Sequence, residues 1–165
     1  MLLLDAETKA VERPEHHRDE LRLWLRLLTC TTMVEGEVRR RLRDAFDVTL
    51  PRFDLMAQLD RAPAGLTLSN ISKRMMVSNG NVTGLVDRLV ETGHLERRAS
   101  ADDRRAQLIS LTDLGRAEFR VMATAHEGWI ADLFADLSPT DVSELMRLLA
   151  KTKRSAAARG LGTNR

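Results

Sequence analysis

The order of short helical and strand-like patterns in the middle of the chain restricts its fold more than any other feature. Residues 69–76 and 77–90 both carry apolar residues at helical spacing, with Ser69 as the expected cap of the first segment. Two strand-like segments follow, "HLERR" and "QLISL", joined by the polar loop "ASADDRRA". Two short helices followed by a two-stranded hairpin are the layout of a winged helix-turn-helix.

Longer helical patterns flank this central unit. The stretch from about His16 to Asp44 has two apolar stripes, so we expect it to be buried on two sides, one of them facing another subunit. Another helix begins at Thr112, and "LSPTD" starts the last one with Ser138 as its cap. We therefore predict a mainly α fold, in which a winged helix-turn-helix lobe adjoins a helical dimerisation region. The predicted divisions are a flexible leader at 1–15, dimerisation helices at 16–50 and 112–157, the DNA-binding lobe at 51–111 and a basic tail at 158–165.

Composition limits the class of protein but does not choose its function. The 165 residues suit one domain with extensions, and 26 Lys and Arg against 24 Asp and Glu leave a net charge of only +2. The single cysteine, Cys30, excludes an internal disulfide and suits a reducing compartment. Arginines interrupt the most apolar stretch, "LRLWLRLLT", and no secretory signal is visible. We expect a cytoplasmic protein without a membrane partner.

The segment "VSNGNVTGLVDRLV" has weak helix formers on the side opposite its apolar face. A helical projection places Gly80 and Gly84 there, although each glycine inside a helix costs about 1 kcal/mol relative to alanine. Glycine permits close approach to a backbone, and an asparagine amide can pair with adenine in the DNA major groove. This pattern predicts a DNA-reading surface with Asn81 as base reader and Asn79 as helix cap. The alternative is that both glycines serve helix packing or are merely tolerated.

The loop between the two strand-like segments is strongly charged. Arg104 and Arg105 lie at its predicted tip, beside Asp102 and Asp103. An arginine at such a tip can enter the DNA minor groove, and a neighbouring carboxylate can hold its guanidinium. A solvated charged turn is the alternative, but the preceding helical pair favours DNA binding.

Residues 66–98 and 102–116 carry a resemblance that extends over roughly 20–155. The segments "LTLSNISKRMMVSNGNVTGLVDRLVETGHLERR" and "DDRRAQLISLTDLGR" resemble the MarR family of bacterial transcriptional regulators. The family's wing pattern, Asp-x-Arg followed by Leu-Thr-x-x-Gly, is matched by Asp103, Arg104, Arg105, Leu111, Thr112 and Gly115.

The resemblance implies roles for these residues. Arg105 would be the minor-groove arginine and Asp103 its orienting partner. The positions at the bases would be Asn79, Gly80, Asn81 and Gly84, and those at phosphates Ser78, Thr83 and Arg88. It further implies a homodimer, joined through the terminal helices, on a pseudo-palindromic operator. Such proteins usually repress transcription and are released by an effector.

The effector is expected to be a small molecule, either an aromatic acid or an aromatic acyl-CoA thioester. Small side chains in "TCTT", residues 29–32, leave room for a ligand within a long apolar helix, unless a bulky partner fills that space. Arginines supply partners for phosphates if the ligand is a CoA ester. The candidate pocket residues are Trp24, Arg26, Cys30, Met33, Arg52, Phe53 and Met56.

Other inputs and other classes of protein are less favoured. Oxidation at Cys30 is one alternative, but we expect that mid-helix thiol to be buried and inert. Metal sensing is another, yet the four histidines are scattered without ligand spacing, so no metal site and no cofactor are predicted. We find no motif of an enzyme. A helical protein-interaction module without DNA binding stays as the alternative from another class, although it leaves the charged loop unexplained.

Overall fold

The computed structural model describes residues 18–99 and 107–161 and contains mainly helix, which confirms the predicted fold class. In chain order, its elements are α1 (Arg18–Phe46), α2 (Leu50–Asp60), α3 (Leu68–Met75), α4 (Asn79–Glu91), β1 (Leu95–Ala99), β2 (Gln107–Leu111), α5 (Asp113–Leu133) and α6 (Pro139–Ala156). A π-helical turn, Ala157–Leu161, follows α6. None of the described helices is long and apolar enough to cross a membrane.

Side-chain caps define where the short helices begin. Thr67, not the predicted Ser69, caps α3 and accepts a hydrogen bond from the Asn70 amide at 3.3 Å. Ser78, not Asn79, caps α4, because Ser78 has extended backbone angles, φ −67° and ψ 149°, whereas Asn79 is already helical. Ser138 caps α6 as predicted and forms a reciprocal capping box with Asp141.

A single apolar cluster joins the central elements. Its fully buried members come from α1, α2, α3, α4 and β2, namely Leu42, Leu55, Met56, Leu59, Ile71, Val82, Val86, Leu89 and Ile109. Because these side chains alternate with polar residues at helical spacing, each short helix presents one face to the cluster and the other to solvent. The core therefore determines which side of α4 stays exposed.

The hairpin is attached to the start of α3 as well as paired with itself. β1 and β2 are antiparallel, with register from Leu95 opposite Leu111 to Ala99 opposite Gln107. Leu66 and Ile109 also exchange two backbone hydrogen bonds of 2.9 and 2.8 Å. This bridge fixes the hairpin beside the helical pair.

The described residues form two compact units with a boundary between Glu127 and Gly128, inside α5. In the second unit, α6 buries no residue, and apolar side chains are exposed on or beside it: Phe134, Leu137, Val142, Leu145, Met146, Leu148 and Leu149. In the first unit, α1 likewise exposes Leu21, Leu23, Trp24, Leu28 and Met33. Exposed apolar surface on this scale is typical of protein interfaces.

Candidate nucleic-acid interface

Helix α4 turns a polar surface to solvent. Val82, Val86 and Leu89 are buried beneath it, which holds the helix in one rotational setting. The opposite surface exposes most of the residues singled out from the sequence, namely Ser78, Asn79, Gly80, Asn81, Gly84 and Arg88, with Thr83 half-buried at its edge. Periodicity alone therefore located this surface correctly.

The two exposed glycines of α4 have no packing partner within the described part of the chain. A Cβ atom added at Gly80 or at Gly84 would meet no atom within 4 Å. Close helix packing inside the described chain thus does not require glycine at either position. The alternative that they serve such packing is wrong for the described residues, and what they provide is a shallow, open backbone surface.

Hydroxyl groups hold the first turns of α4, while the asparagine amides stay available. The Ser78 hydroxyl oxygen accepts a hydrogen bond from the backbone amide of Asn81 at 3.5 Å, and the Thr83 hydroxyl donates to the backbone carbonyl of Asn79 at 2.9 Å. Among the described residues, the side chains of Asn79 and Asn81 make no hydrogen bond. Each of these amides presents a donor and an acceptor on a rigid helix.

An ion pair between Asp87 and Arg97 ties α4 to strand β1. Asp87 alone would repel a phosphate backbone, and Arg97 offsets that charge. Sequence analysis missed this pair because nothing in local spacing connects a helix carboxylate with a strand guanidinium ten residues later. The loop residues Asp103, Arg104 and Arg105 lie outside the described residues, so their roles stay predictions.

The turn between α3 and α4 adds positive charge that the sequence analysis did not select. Lys73 and Arg74 are exposed in the last turn of α3. Met76, with φ 56°, ends that helix in the left-handed conformation and is 93% exposed. The sequence does contain a sign of this charge. In the short segment "SKRMM", two basic residues come just before the helical stretch that predicts the interface.

A cavity of about 500 Å³ lies within the first unit, away from the exposed surface of α4. Its lining is half apolar and half polar, from Phe46, Val48, Val121 and Met122 and from Asp47, Arg52, His94 and Glu118. Arg52 Nη2 lies 3.2 Å from His94 Nε2 and 3.4 Å from Glu118 Oε2. Arg52 Nε is buried without a hydrogen-bond partner among the described residues. The cavity therefore combines apolar residues with charged ones.

The seven residues predicted for an effector pocket do not line one cavity in the single chain. Arg52 lines the cavity described above, whereas Phe53 and Met56 are buried in the core. The α1 residues of this group, Trp24, Arg26, Cys30 and Met33, are all exposed. The expectation of a buried Cys30 thiol is wrong for the single chain, because no described segment covers this part of α1.

Of the described histidines, His94 lines the cavity and His126 packs elsewhere on α5. The His126 ring stacks at a tilt on Phe53, with 4.8 Å between ring centroids. Burial lowers the pKa of His126, although the Asp54 carboxylate opposes that shift. The described residues contain no cluster of three or more His, Cys, Asp or Glu side chains that would hold a metal.

Two short helices, an exposed polar second helix and an attached hairpin define a winged helix-turn-helix protein. The chain belongs to the MarR family: the model described as "MarR family" matches residues 46–106. It is 30% identical over 111 residues to the HTH-type transcriptional regulator PecS of Dickeya dadantii, covering 66% of this chain and 67% of PecS. It is 28% identical over 133 residues to the transcriptional activatory protein BadR of Rhodopseudomonas palustris, covering 79% of this chain and 75% of BadR.

Solved structures agree with this assignment. A MarR family transcriptional regulator from Silicibacter pomeroyi is 34% identical, with a TM-score of 0.73 over 87% of this chain and 99% of its own. The same fold occurs in a mutant E. coli MarR complexed with operator DNA, at 24% identity, TM-score 0.71 and coverage of 84% and 99%. It also occurs in CouR from Rhodococcus jostii bound to p-coumaroyl-CoA, at 22% identity, TM-score 0.68 and coverage of 77% and 88%. The chain is therefore a transcriptional regulator and not an enzyme.

Proposed function

We propose that this protein binds a pseudo-palindromic operator as a homodimer, represses transcription there and is released by a small-molecule effector. The observation that carries the proposal is the exposed surface of α4, where two glycines have no packing partner among the described residues and two asparagines are exposed beside them. Operator DNA in the complex of E. coli MarR supports it. Because BadR is named an activatory protein, a promoter-reporter assay with the gene deleted tests the sign of regulation.

In this proposal, the start of α4 enters the major groove. Asn81 pairs its amide with an adenine, Asn79 lies beside the bases, and Gly80 and Gly84 let the backbone approach them. The phosphate contacts come from Ser78, Thr83 and Arg88, with the free amides at the helix N-terminus adding to them. From the hairpin loop, Arg105 enters the minor groove, oriented by Asp103, and Arg104 lies next to it.

Substitutions at Asn81 and Arg105 are expected to weaken binding in different ways. Asn81→Ala should lower operator affinity about tenfold to a hundredfold and relax the base preference at one position of each half-site. Arg105→Ala should lower affinity and reduce the slope of log affinity against log salt by about one for each subunit. Fluorescence anisotropy measures both on an operator selected from random DNA. Arg147→Ala on α6 is the control and should change neither; an unchanged affinity for both test variants contradicts the interface.

The exposed apolar faces of α1 and α6 are proposed to be covered by a second copy of the chain. Leu145→Asp is expected to shift the protein from dimer to monomer, because a carboxylate in an apolar interface is strongly disfavoured. Sedimentation velocity measures the change. Ser143→Asp, which adds the same charge two residues earlier on α6, should leave the dimer intact. Dissociation by both variants, or by neither, contradicts this assignment.

The proposed effector is an aromatic acid or its CoA thioester, and the structure of CouR bound to p-coumaroyl-CoA supports this choice. The cavity offers apolar residues for a ring and the Arg52 guanidinium as the proposed partner of a carboxylate or carbonyl oxygen. A thermal-shift screen with such acids and esters tests this, since a ligand of the folded state raises its stability. Arg52→Ala should abolish the shift that the wild type shows.

Release of DNA by peroxide from the wild type, but not from Cys30→Ser, instead supports the redox alternative.

A further inference from the structure

The His94 side chain lies between the cavity and the end of helix α4. On the cavity side, its Nε2 atom is 2.8 Å from Glu118 Oε2 and 3.2 Å from Arg52 Nη2. On the other side, its Nδ1 atom is 2.7 Å from Thr92 Oγ1. The ring is buried, so these polar contacts, and not solvent, determine its orientation.

Thr92 caps the C-terminus of α4. Its hydroxyl lies 3.1 Å from the Arg88 carbonyl oxygen and 3.3 Å from that of Leu89, two carbonyls in the last turn of the helix. The backbone amides of Thr92 and His94 donate to the same two oxygens, at 3.1 and 2.9 Å. A hydroxyl has one proton, so what His94 Nδ1 donates or accepts decides whether Thr92 donates to the helix.

The backbone of His94 is held in place by contacts of its own, separate from those of its ring. The backbone amide of Thr112 donates to the His94 carbonyl at 3.0 Å, and the Thr112 hydroxyl lies 2.7 Å from the Gly93 carbonyl oxygen and 3.2 Å from that of His94. Gly115 packs against the same carbonyl so closely that a Cβ atom there would lie 2.1 Å from its oxygen. The imidazole ring is therefore the part of His94 that is left free to respond to a change at the cavity.

We propose that His94 is a positioning residue that transmits changes in the cavity to the C-terminal end of the DNA-reading helix. Glu118 and Arg52 orient the ring, and Thr92 carries that orientation to the carbonyls of Arg88 and Leu89. A bound molecule that engages Glu118 or Arg52 withdraws a partner from His94 Nε2 and so releases the Thr92 hydroxyl from its present arrangement. The inference rests on the proposed function, in which the cavity takes the effector and α4 contacts the operator.

The test needs neither DNA nor a ligand. Hydrogen exchange of the Thr92, Gly93 and His94 amides is measured by NMR in the full chain, for the wild type, Glu118→Ala, Thr92→Val and the double variant. Glu118→Ala is expected to change the exchange rates about three- to tenfold, the range for one hydrogen bond gained or lost, because Nε2 no longer donates to Glu118 and Nδ1 can then donate to Thr92. In the Thr92→Val background the same change should alter exchange less than about twofold, since the connection is already broken. Glu127→Ala, a second exposed glutamate of α5, is the control and should have no effect.

Two substitutions at His94 separate positioning from simple structural support. An asparagine amide reaches the place of Nδ1 and a glutamine amide the place of Nε2. His94→Asn should keep the wild-type exchange rates at the end of α4, but adding Glu118→Ala to it should no longer change those rates. His94→Gln should lose the wild-type rates as well as the response to Glu118→Ala. Independent, multiplicative effects of Glu118→Ala and Thr92→Val overturn the proposal. Because operator binding is not measured, that result does not contradict the DNA-binding proposal. Loss of operator binding alone would likewise not contradict the positioning role of His94.

Discussion

Replacing Gly84 with alanine is expected to stabilise the fold and to weaken operator binding. An added Cβ meets no atom within 4 Å, so the fold accepts it without strain. Alanine is favoured over glycine inside a helix by about 1 kcal/mol, which corresponds to a rise in melting temperature of about 3 °C. On the proposed interface, however, the same methyl group occupies space that the DNA requires, and we expect affinity to fall about tenfold or more.

Stability and affinity are measured on the same preparation, by thermal unfolding and by fluorescence anisotropy. Gly128→Ala is the matched control, because Gly128 also lies in a helix with open space around its Cβ position. It should stabilise the fold by a similar amount and leave operator affinity unchanged. If Gly84→Ala binds the operator as tightly as the wild type, the glycine is merely tolerated and does not serve DNA approach.

Gly115→Ala is expected to have the opposite effect on stability, although it is the same chemical change. Its Cβ would lie 2.1 Å from the His94 carbonyl oxygen and 3.0 Å from the carbonyl carbon, both of them backbone atoms. Helix α5 must therefore move away from the start of the hairpin, and overpacking of this kind costs about 3 kcal/mol. Operator affinity should fall too, because the hairpin is then displaced relative to α4.

Urea denaturation measures the loss, with the slope of the transition showing whether the native state has become less compact. Gly84→Ala is the natural comparison, since both glycines lie in helices and only one has a backbone neighbour within van der Waals distance. A change of less than about 0.5 kcal/mol at Gly115, the size of an ordinary surface substitution, would contradict the close approach.

Local sequence patterns correctly predicted most of the helices and strands of the central unit. The apolar positions of α4 recur every three or four residues, and Val82, Val86 and Leu89 are indeed buried. The cap at Ser138 and the two antiparallel strands were likewise predicted, because each depends on groups a few residues apart. Errors of one or two residues arose at the caps of α3 and α4, where neighbouring Ser, Thr and Asn residues all suit the position.

The sequence by itself determined the helical pair, the hairpin and the face of α4 that carries Gly80, Asn81 and Gly84. Only the tertiary structure decided what surrounds those elements. It joined Arg52 to His94 across 42 residues and His94 to Glu118 across 24, and it left Cys30 exposed. The physical reason is that helix periodicity and capping depend on bonds within one or two turns. Contacts between distant residues depend on how the helices pack, and short sequence spacing does not record that.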